Sequence, residues 1–242
     1  LSGKLSYSHY CELFLITDLS ARSFYEQESI NSNWSVRKLK RQIETSLFER
    51  LILSNGDLNK QKVIRLSKYG ISYFSPTDIL KDPYVFEFLD LPENKPILEK
   101  DLEKALIKKL EKFLLELGRG FMFVGSQQRI TLGNNHYYVD LVFYNKILKA
   151  YVLIDLKMGN LKPENVGQMN MYLNYYAHEV NEGEDDKPIG IILCTSNSKI
   201  VAEYALGGLE NQIFASKYIY YIPDKEDLVK QVQDVINDFV EN

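Results

Sequence analysis

YYVDLVFYNKILKAYVLIDLKMGNLKPENVGQMNMY, residues 137–172, decides how the chain folds. Two runs rich in β-branched and aromatic residues, 139–144 and 150–157, flank a polar stretch. Such side chains suit a pleated, half-buried surface, so two strands are predicted, turning at about Ile147 and Leu148. Each strand carries a carboxylate among apolar neighbours, Asp140 in the first and Asp155 in the second. Alternate strand residues share a face, so Asp155 and Lys157 point the same way and Leu156 the other. In such a hairpin Asp140 falls roughly opposite Asp155, with cross-strand Cβ atoms ~5 Å apart. The stretch 145–149 lacks the Asn-Gly or Asp-Gly of a two-residue turn, and a bulge or longer loop would shift the facing by one.

Charged groups in half-buried strands need compensation, and two carboxylates this close repel unless a cation or proton lies between them. The compensation read from these residues is a metal ion.

An Asp, a short spacer, Asp-X-Lys at the end of the next strand and then a helix with Gln168 and Tyr172 resemble the PD-(D/E)XK nuclease superfamily. The words YYVDLVFY, YVLIDLKMG, GQMNMYLNYY and IGIILC are similar in particular to its YhcG-type branch, over nearly the whole chain. The resemblance implies an α/β fold: a restriction-endonuclease-like αβββαβ core with a mixed central sheet, preceded by a small helical domain like a winged helix-turn-helix. It also implies phosphodiester hydrolysis of DNA with Mg2+ or Mn2+, a further carboxylate from the helix at 99–117, and a site-facing Gln168. Two departures stand out. Val139 replaces the Pro of the superfamily name, and Asp155 replaces the Glu of many members, which shifts a bound metal by about a methylene.

Residues 99–117 read as one helix, with Leu102, Leu106, Leu110, Phe113, Leu114 and Leu117 as its apolar stripe and Gly118 as its stop. Glu103 borders the buried face and is preferred over Glu99 as the further acid; the bland reading is an ordinary boundary Glu. The stretch 121–132 is a strand whose Gln127, Gln128 and Arg129 could face substrate. After it come a turn at 133–135, a loop at 158–163, and a helix from Pro163, where Pro and Glu164 suit a first turn. Gln168 and Tyr172 lie one above the other on that helix. Strands at 188–194 and 218–222, a short helix at 199–206 and a closing helix at 224–240 complete the order αβββαβαβα.

The metal would be held by Asp140, Asp155, Glu103 and the Leu156 carbonyl, all hard oxygens. It would polarise the phosphate and acidify a water, which Lys157 orients unless it stabilises charge on the phosphate. A nuclease fold that binds DNA without turnover is the alternative. A bare ion-pair network of Asp140, Asp155 and Lys157 is costly to desolvate. Neither cysteine lies near a histidine in a catalytic pattern, His9, His136 and His178 lack metal spacing, and no Gly-rich phosphate loop occurs.

With 242 residues and 45% apolar content, one large or two small domains can form proper cores. No apolar run approaches a membrane span and no secretory signal layout opens the chain, so a cytoplasmic location is expected; Leu1 points to an upstream segment. Cys11 and Cys194 are far apart and expected to be buried reduced thiols. The net charge of −4 is uneven: residues 1–75 hold eleven basic and seven acidic groups, residues 76–242 eighteen and twenty-six. A basic amino-terminal part fits a phosphate partner.

Residues 1–75 read as three helices followed by short strands at 63–66 and 71–74. The third helix is capped by Ser35, aligns Val36, Leu39, Ile43, Leu47 and Leu51, and crowds Arg37, Lys38, Lys40 and Arg41 into its first turns. Those cations run against the helix dipole, a cost that phosphate binding offsets; a solvated face is the plain alternative. Such modules bind DNA, dimerise or dock proteins, so a homodimer is a further expectation. Residues 76–97, with Pro76, Pro83, Pro92 and Pro96, form the linker to a nuclease-like domain at 98–242. Within it Tyr84, Val85, Phe86, Phe88 and Leu89 should pack on one of the domains.

Overall fold

The computed structural model describes residues 3–54, 60–71, 75–81, 83–91, 98–196, 205–206 and 212–238. It divides into two compact units, residues 1–82 together with 222–242, and residues 83–221.

The first unit is helical: α1 (Tyr7–Phe14), α2 (Leu19–Asn31), α3 (Val36–Glu44), α4 (Leu47–Leu53), α5 (Lys60–Tyr69) and, from the far end of the chain, α9 (Lys225–Asp238). Their apolar stripes meet in one cluster that includes Phe24, Tyr25, Leu39, Leu47, Leu51, Leu66 and Val232. Asp18 Oδ1 caps α2, accepting the Ala21 N–H at 2.7 Å, and Ser35 caps α3 as expected, its Oγ accepting that of Lys38 at 3.3 Å.

Three expectations fail here. The third helix is broken between α3 and α4, because Thr45 bonds back to the Arg41 carbonyl at 3.0 Å and Ser46 turns left-handed at φ 52°. Buried Arg50 then satisfies the freed end, donating from Nε to the Thr45 carbonyl at 2.8 Å. The strand expected at 63–66 lies inside α5, so the first strand of a wing is helix. Val63 and Leu66 are three apart and both join the helical core, and a short apolar run cannot distinguish that from a strand. The strand at 71–74 falls largely outside the described residues, as do Pro92, Pro96 and most of the helix at 199–206. Cys194 is buried as expected, but Cys11 is exposed.

The second unit is a six-stranded mixed sheet of order β1-β6-β5-β4-β3-β2, from β1 (Tyr84–Val85), β2 (Phe121–Leu132), β3 (Asn135–Asn145), β4 (Ala150–Asn160), β5 (Ile189–Ser196) and β6 (Gln212–Ile219). β2, β3 and β4 form an antiparallel meander, whereas β4, β5, β6 and β1 run parallel. Parallel neighbours need a crossover, and α8 (Pro163–Tyr175) supplies it between β4 and β5. Its Met169, Tyr172 and Leu173 pack on Val142, Leu153, Ile192 and Cys194. Gly190 permits this approach, since a Cβ there would stand 2.6 Å from Met169.

On the opposite face, Phe113 of α7 (Leu110–Leu117) meets Phe143 and Phe86 edge-on at 5.7 and 5.5 Å. The aromatic cluster from Tyr84 to Leu89 is buried in this unit as expected, and β1 extends its sheet. The helix expected over 99–117 is two, α6 (Glu99–Lys108) and α7, parted at Lys109, whose ammonium reaches the Phe88 carbonyl at 2.6 Å and Asp90 at 2.7 Å. β4 runs on through the loop expected at 158–163 as far as Asn160, and the strand expected at 218–222 is shifted to Gln212–Ile219.

Candidate active site

The hairpin of β3 and β4 pairs Asn145 with Ala150 and ends its ladder at Leu141 and Ile154, turning through Ile147 and Leu148. One step further, the same register sets Asp140 against Asp155. The strands part there, because β4 pairs on with β5 as far as Asn160 while β3 stays with β2. That fork strands the Leu156 N–H, and the Asp140 carboxylate takes it at 2.8 Å. An extended residue sends N–H and C=O to the same edge, so the Leu156 carbonyl also opens into the fork.

Into the same fork come four other side chains. Lys157 Nζ lies 2.9 Å from Asp155 Oδ2 and 4.0 Å from Glu99. Glu99, at the start of α6, also accepts the Met158 N–H at 2.9 Å. Glu103, one helical turn on, is buried and receives Gln127 Nε2 at 2.8 Å, and that same amide donates to Asp140 at 3.1 Å. Gln127 thus bridges two acids from separate elements. It does so from a left-handed backbone, φ 48°, in a strand already bulged between Phe123 and Gly125.

Burial, and after it the charge on Asp140, push the Asp155 carboxyl up to about 7, against the pull of Lys157. Burial and then Asp140 raise Glu103 as well, with Gln127 opposing. Burial would lower Lys157, yet Asp155, Asp140 and Glu99 outweigh it and hold the ammonium above its usual value.

Asp155 is 2% exposed, and its Oδ2 faces the Lys157 ammonium at 2.9 Å. Two carboxylates facing one another at this depth repel, and a hard cation between them would relieve that repulsion. Asp140, Asp155 and the Leu156 carbonyl are oxygen donors of the right kind, so the residues fit a divalent ion. Among the described residues, however, no three His, Cys, Asp or Glu side chains meet as a ready cluster, since Gln127 stands between Glu103 and Asp140.

Of the residues singled out from the sequence, Asp140, Asp155, Lys157 and Glu103 come together. Gln168 lies one hydroxyl away, donating to Tyr172 at 2.5 Å, while Tyr172 donates to the Tyr138 carbonyl at 3.0 Å. Burial and then Asp155 push the Tyr172 phenol up to about 12. Gln128 is half-buried with its amide over Gly125, and Arg129 is exposed. Arg37, Lys38 and Lys40 are exposed on α3 and Arg41 is half-buried, in the other unit.

Sequence reasoning missed the Gln127 bridge, Glu99 and Tyr218, whose hydroxyl donates to the Lys157 carbonyl at 3.3 Å. Glu99 was within reach of it, one turn from Glu103 on the same helix face. The left-handed turn that aims Gln127 has no sequence signal, because a Gly is not used.

Comparison with known proteins agrees with this fold. A family model described as the YhcG PDDEXK nuclease domain matches residues 77–233, and one described as the DUF1016 N-terminal domain matches residues 1–50. A relative from Escherichia coli (strain K12), named "Putative nuclease YhcG", is 39% identical over 231 residues, which cover 96% of this chain and 60% of that protein. The chain therefore spans about three fifths of that relative's length. A repair endonuclease from Pyrococcus abyssi is 20% identical with a TM-score of 0.36, over 52% of this chain and 49% of that one. EndoMS in complex with double-stranded DNA is 15% identical with a TM-score of 0.35, over 56% and 51%. Superpositions that loose add nothing to the assignment, which rests on the family model and the 39% identical relative: the chain belongs to the YhcG PDDEXK nuclease family.

Proposed function

We propose that the chain is a metal-dependent nuclease that hydrolyses DNA phosphodiesters at the fork between β3 and β4. One observation carries this reading: two opposed carboxylates, one of them buried, lie beside a lysine on the same strand face. Asp140, Asp155 and the Leu156 carbonyl would hold Mg2+ or Mn2+, with Glu103 joining once Gln127 lets go. Such an ion supplies a polarised phosphate oxygen and a water of lowered pKa.

The chain's own groups do the rest. Lys157, whose ammonium form the neighbouring acids favour, would serve as a donor to the attacked phosphate or the incoming water. Glu99 and Asp155 fix its direction. Tyr172 and Gln168 brace the α8 side, the buried phenol keeping its proton at physiological pH for the Tyr138 carbonyl. Arg37, Lys38, Lys40 and Arg41 on α3 would add phosphate contacts.

A second reading, DNA binding without turnover, is favoured by one observation, the Gln127 amide standing where a cation would draw Glu103 and Asp140 together.

Single-turnover cleavage of linear and branched DNA beside calorimetric metal titration separates the two. Asp140→Asn and Asp155→Asn should fold, lose metal binding and cease to cut. Lys157→Ala should keep the metal and slow the chemical step by about 10²- to 10³-fold, the usual effect of removing a charge-stabilising donor. Wild-type protein that binds DNA, takes up no divalent ion and never cuts establishes the second reading instead.

A further inference from the structure

The ladder between β3 and β4 stops at Leu141, whereas β2 and β3 stay paired to Leu132 and Asn135. Beyond the fork the chain therefore projects a two-stranded arm, residues 128–139, closed by a turn with Gly133 at φ 58°. Its two faces differ. Gln128, Ile130, Tyr137 and Val139 are half-buried or buried, and Ile130 and Val139 share a cluster with Val166, Met169 and Tyr172 of α8. Tyr172 also clamps the arm through the Tyr138 carbonyl. The arm is thus a braced element.

Its other face, Arg129, Thr131, His136 and Tyr138, is exposed, with Arg129 paired across the strands to Tyr138 and Thr131 to His136. Thr131 Oγ1 and His136 Nδ1 lie 3.0 Å apart. This strip begins beside Gln127 and Asp140, the arm's end of the candidate active site.

Charge says what the strip meets. Between Glu116 and Asp155 the only acid is Asp140, although residues 83–221 as a whole carry eighteen acids against fifteen bases. Arg129 has no carboxylate within ion-pair distance among the described residues. An acid-free arm bearing a cation, an aromatic ring and hydrogen-bonding side chains, set in an acidic unit, complements a polyanion. A two-stranded ribbon is also of a width that the major groove of duplex DNA admits.

We propose that the β2–β3 arm enters a groove of duplex DNA beside the scissile phosphate, with Arg129 on a phosphate and Tyr138 on the adjoining sugar or base edge. This rests on the nuclease reading and deepens it by assigning the element that sets the duplex on the site.

The test is anisotropy of a short fluorescent DNA duplex, without divalent ions, over a series of KCl concentrations. Arg129→Ala should flatten the slope of log K against log salt by ~0.9, one phosphate contact, and Arg129→Lys should restore it. Tyr138→Ala should weaken binding several-fold at every salt concentration, leave the slope unchanged and raise KM rather than lower kcat in cleavage. Thermal melting identifies any variant that fails to fold, and Arg129→Lys and Tyr138→Phe then carry the test, as both should bind like wild type. Unchanged affinity and slope in both alanine variants would overturn the arm's role even if the enzyme cuts DNA. Arm-dependent binding by a protein that never cuts would sustain it while the nuclease reading fails. No duplex binding by the wild type overturns the arm's role and leaves the nuclease reading to the cleavage assay.

Discussion

Asp155 shows how far a single side chain can be driven by its surroundings. Its pKa of about 7 lies above the ordinary carboxylate value, so the folded state binds this proton more tightly than the unfolded chain does. Stability from this group is then greatest at low pH and falls as pH rises through the range between the two values, about 4 to 7. Asp155→Asn should remove that dependence and raise the metal-free melting stability at pH 8 by on the order of 2 kcal/mol, read from chemical denaturation at pH 5 and pH 8. Identical pH profiles for variant and wild type would show that Lys157 already balances the Asp155 charge. Gln127 is strained for the sake of its two acids. A left-handed residue with a Cβ costs about 1–2 kcal/mol that glycine avoids. Gln127→Gly should therefore be more stable than Gln127→Ala by about 1 kcal/mol, although both lose the bridge. Equal unfolding midpoints would mean that β2 relaxes when the side chain goes.

At the level of elements, α3 joins two roles that its sequence superimposes. Leu39 and Gln42 face the helical core, while Arg37, Lys38 and Lys40 stay exposed. Replacing the three exposed cations by Ala should spare the fold and flatten the salt dependence of DNA binding by up to ~0.9 per lost contact. A slope equal to that of the wild type would leave α3 a docking or dimerising surface. The fork between β3 and β4 is the other decisive element. It exists because β4 has two obligations, an antiparallel one to β3 and a parallel one to β5, and it abandons the first just where the acids begin.

Over the whole molecule, the end of the chain returns to its beginning. Val232 of α9 is buried in the cluster of Phe24, Leu47 and Leu51, and residues 222–242 belong to the amino-terminal unit. Deleting residues 222–242 should expose that core, lower the melting temperature of the helical unit and open it to proteolysis. Far-ultraviolet circular dichroism with timed trypsin digestion would reveal this, and a truncated protein as resistant as the full chain would contradict it. Among the described residues, no helix is long and apolar enough to cross a membrane.

The strands around Asp140 and Asp155, the helix from Pro163, the cap at Ser35 and the facing of Asp140, Asp155 and Lys157 were legible in the sequence, because period-two alternation and cap chemistry act over a few residues, whereas the place of Glu103 beside them was implied by the family resemblance. Local pattern could not show that the helix from Ser35 breaks at Ser46, where buried Arg50 and Tyr25 provide partners for the broken ends. It misread 63–66 as strand, since Val63 and Leu66 take the helical state only once α2 offers them a surface. Gln127 belongs to the same class: its left-handed turn is held by two carboxylates 24 and 13 residues away in sequence. Residue chemistry and short-range period were set by the sequence alone, whereas the fork, the bridge and the return of α9 depend on contacts between distant segments, which no local signal encodes.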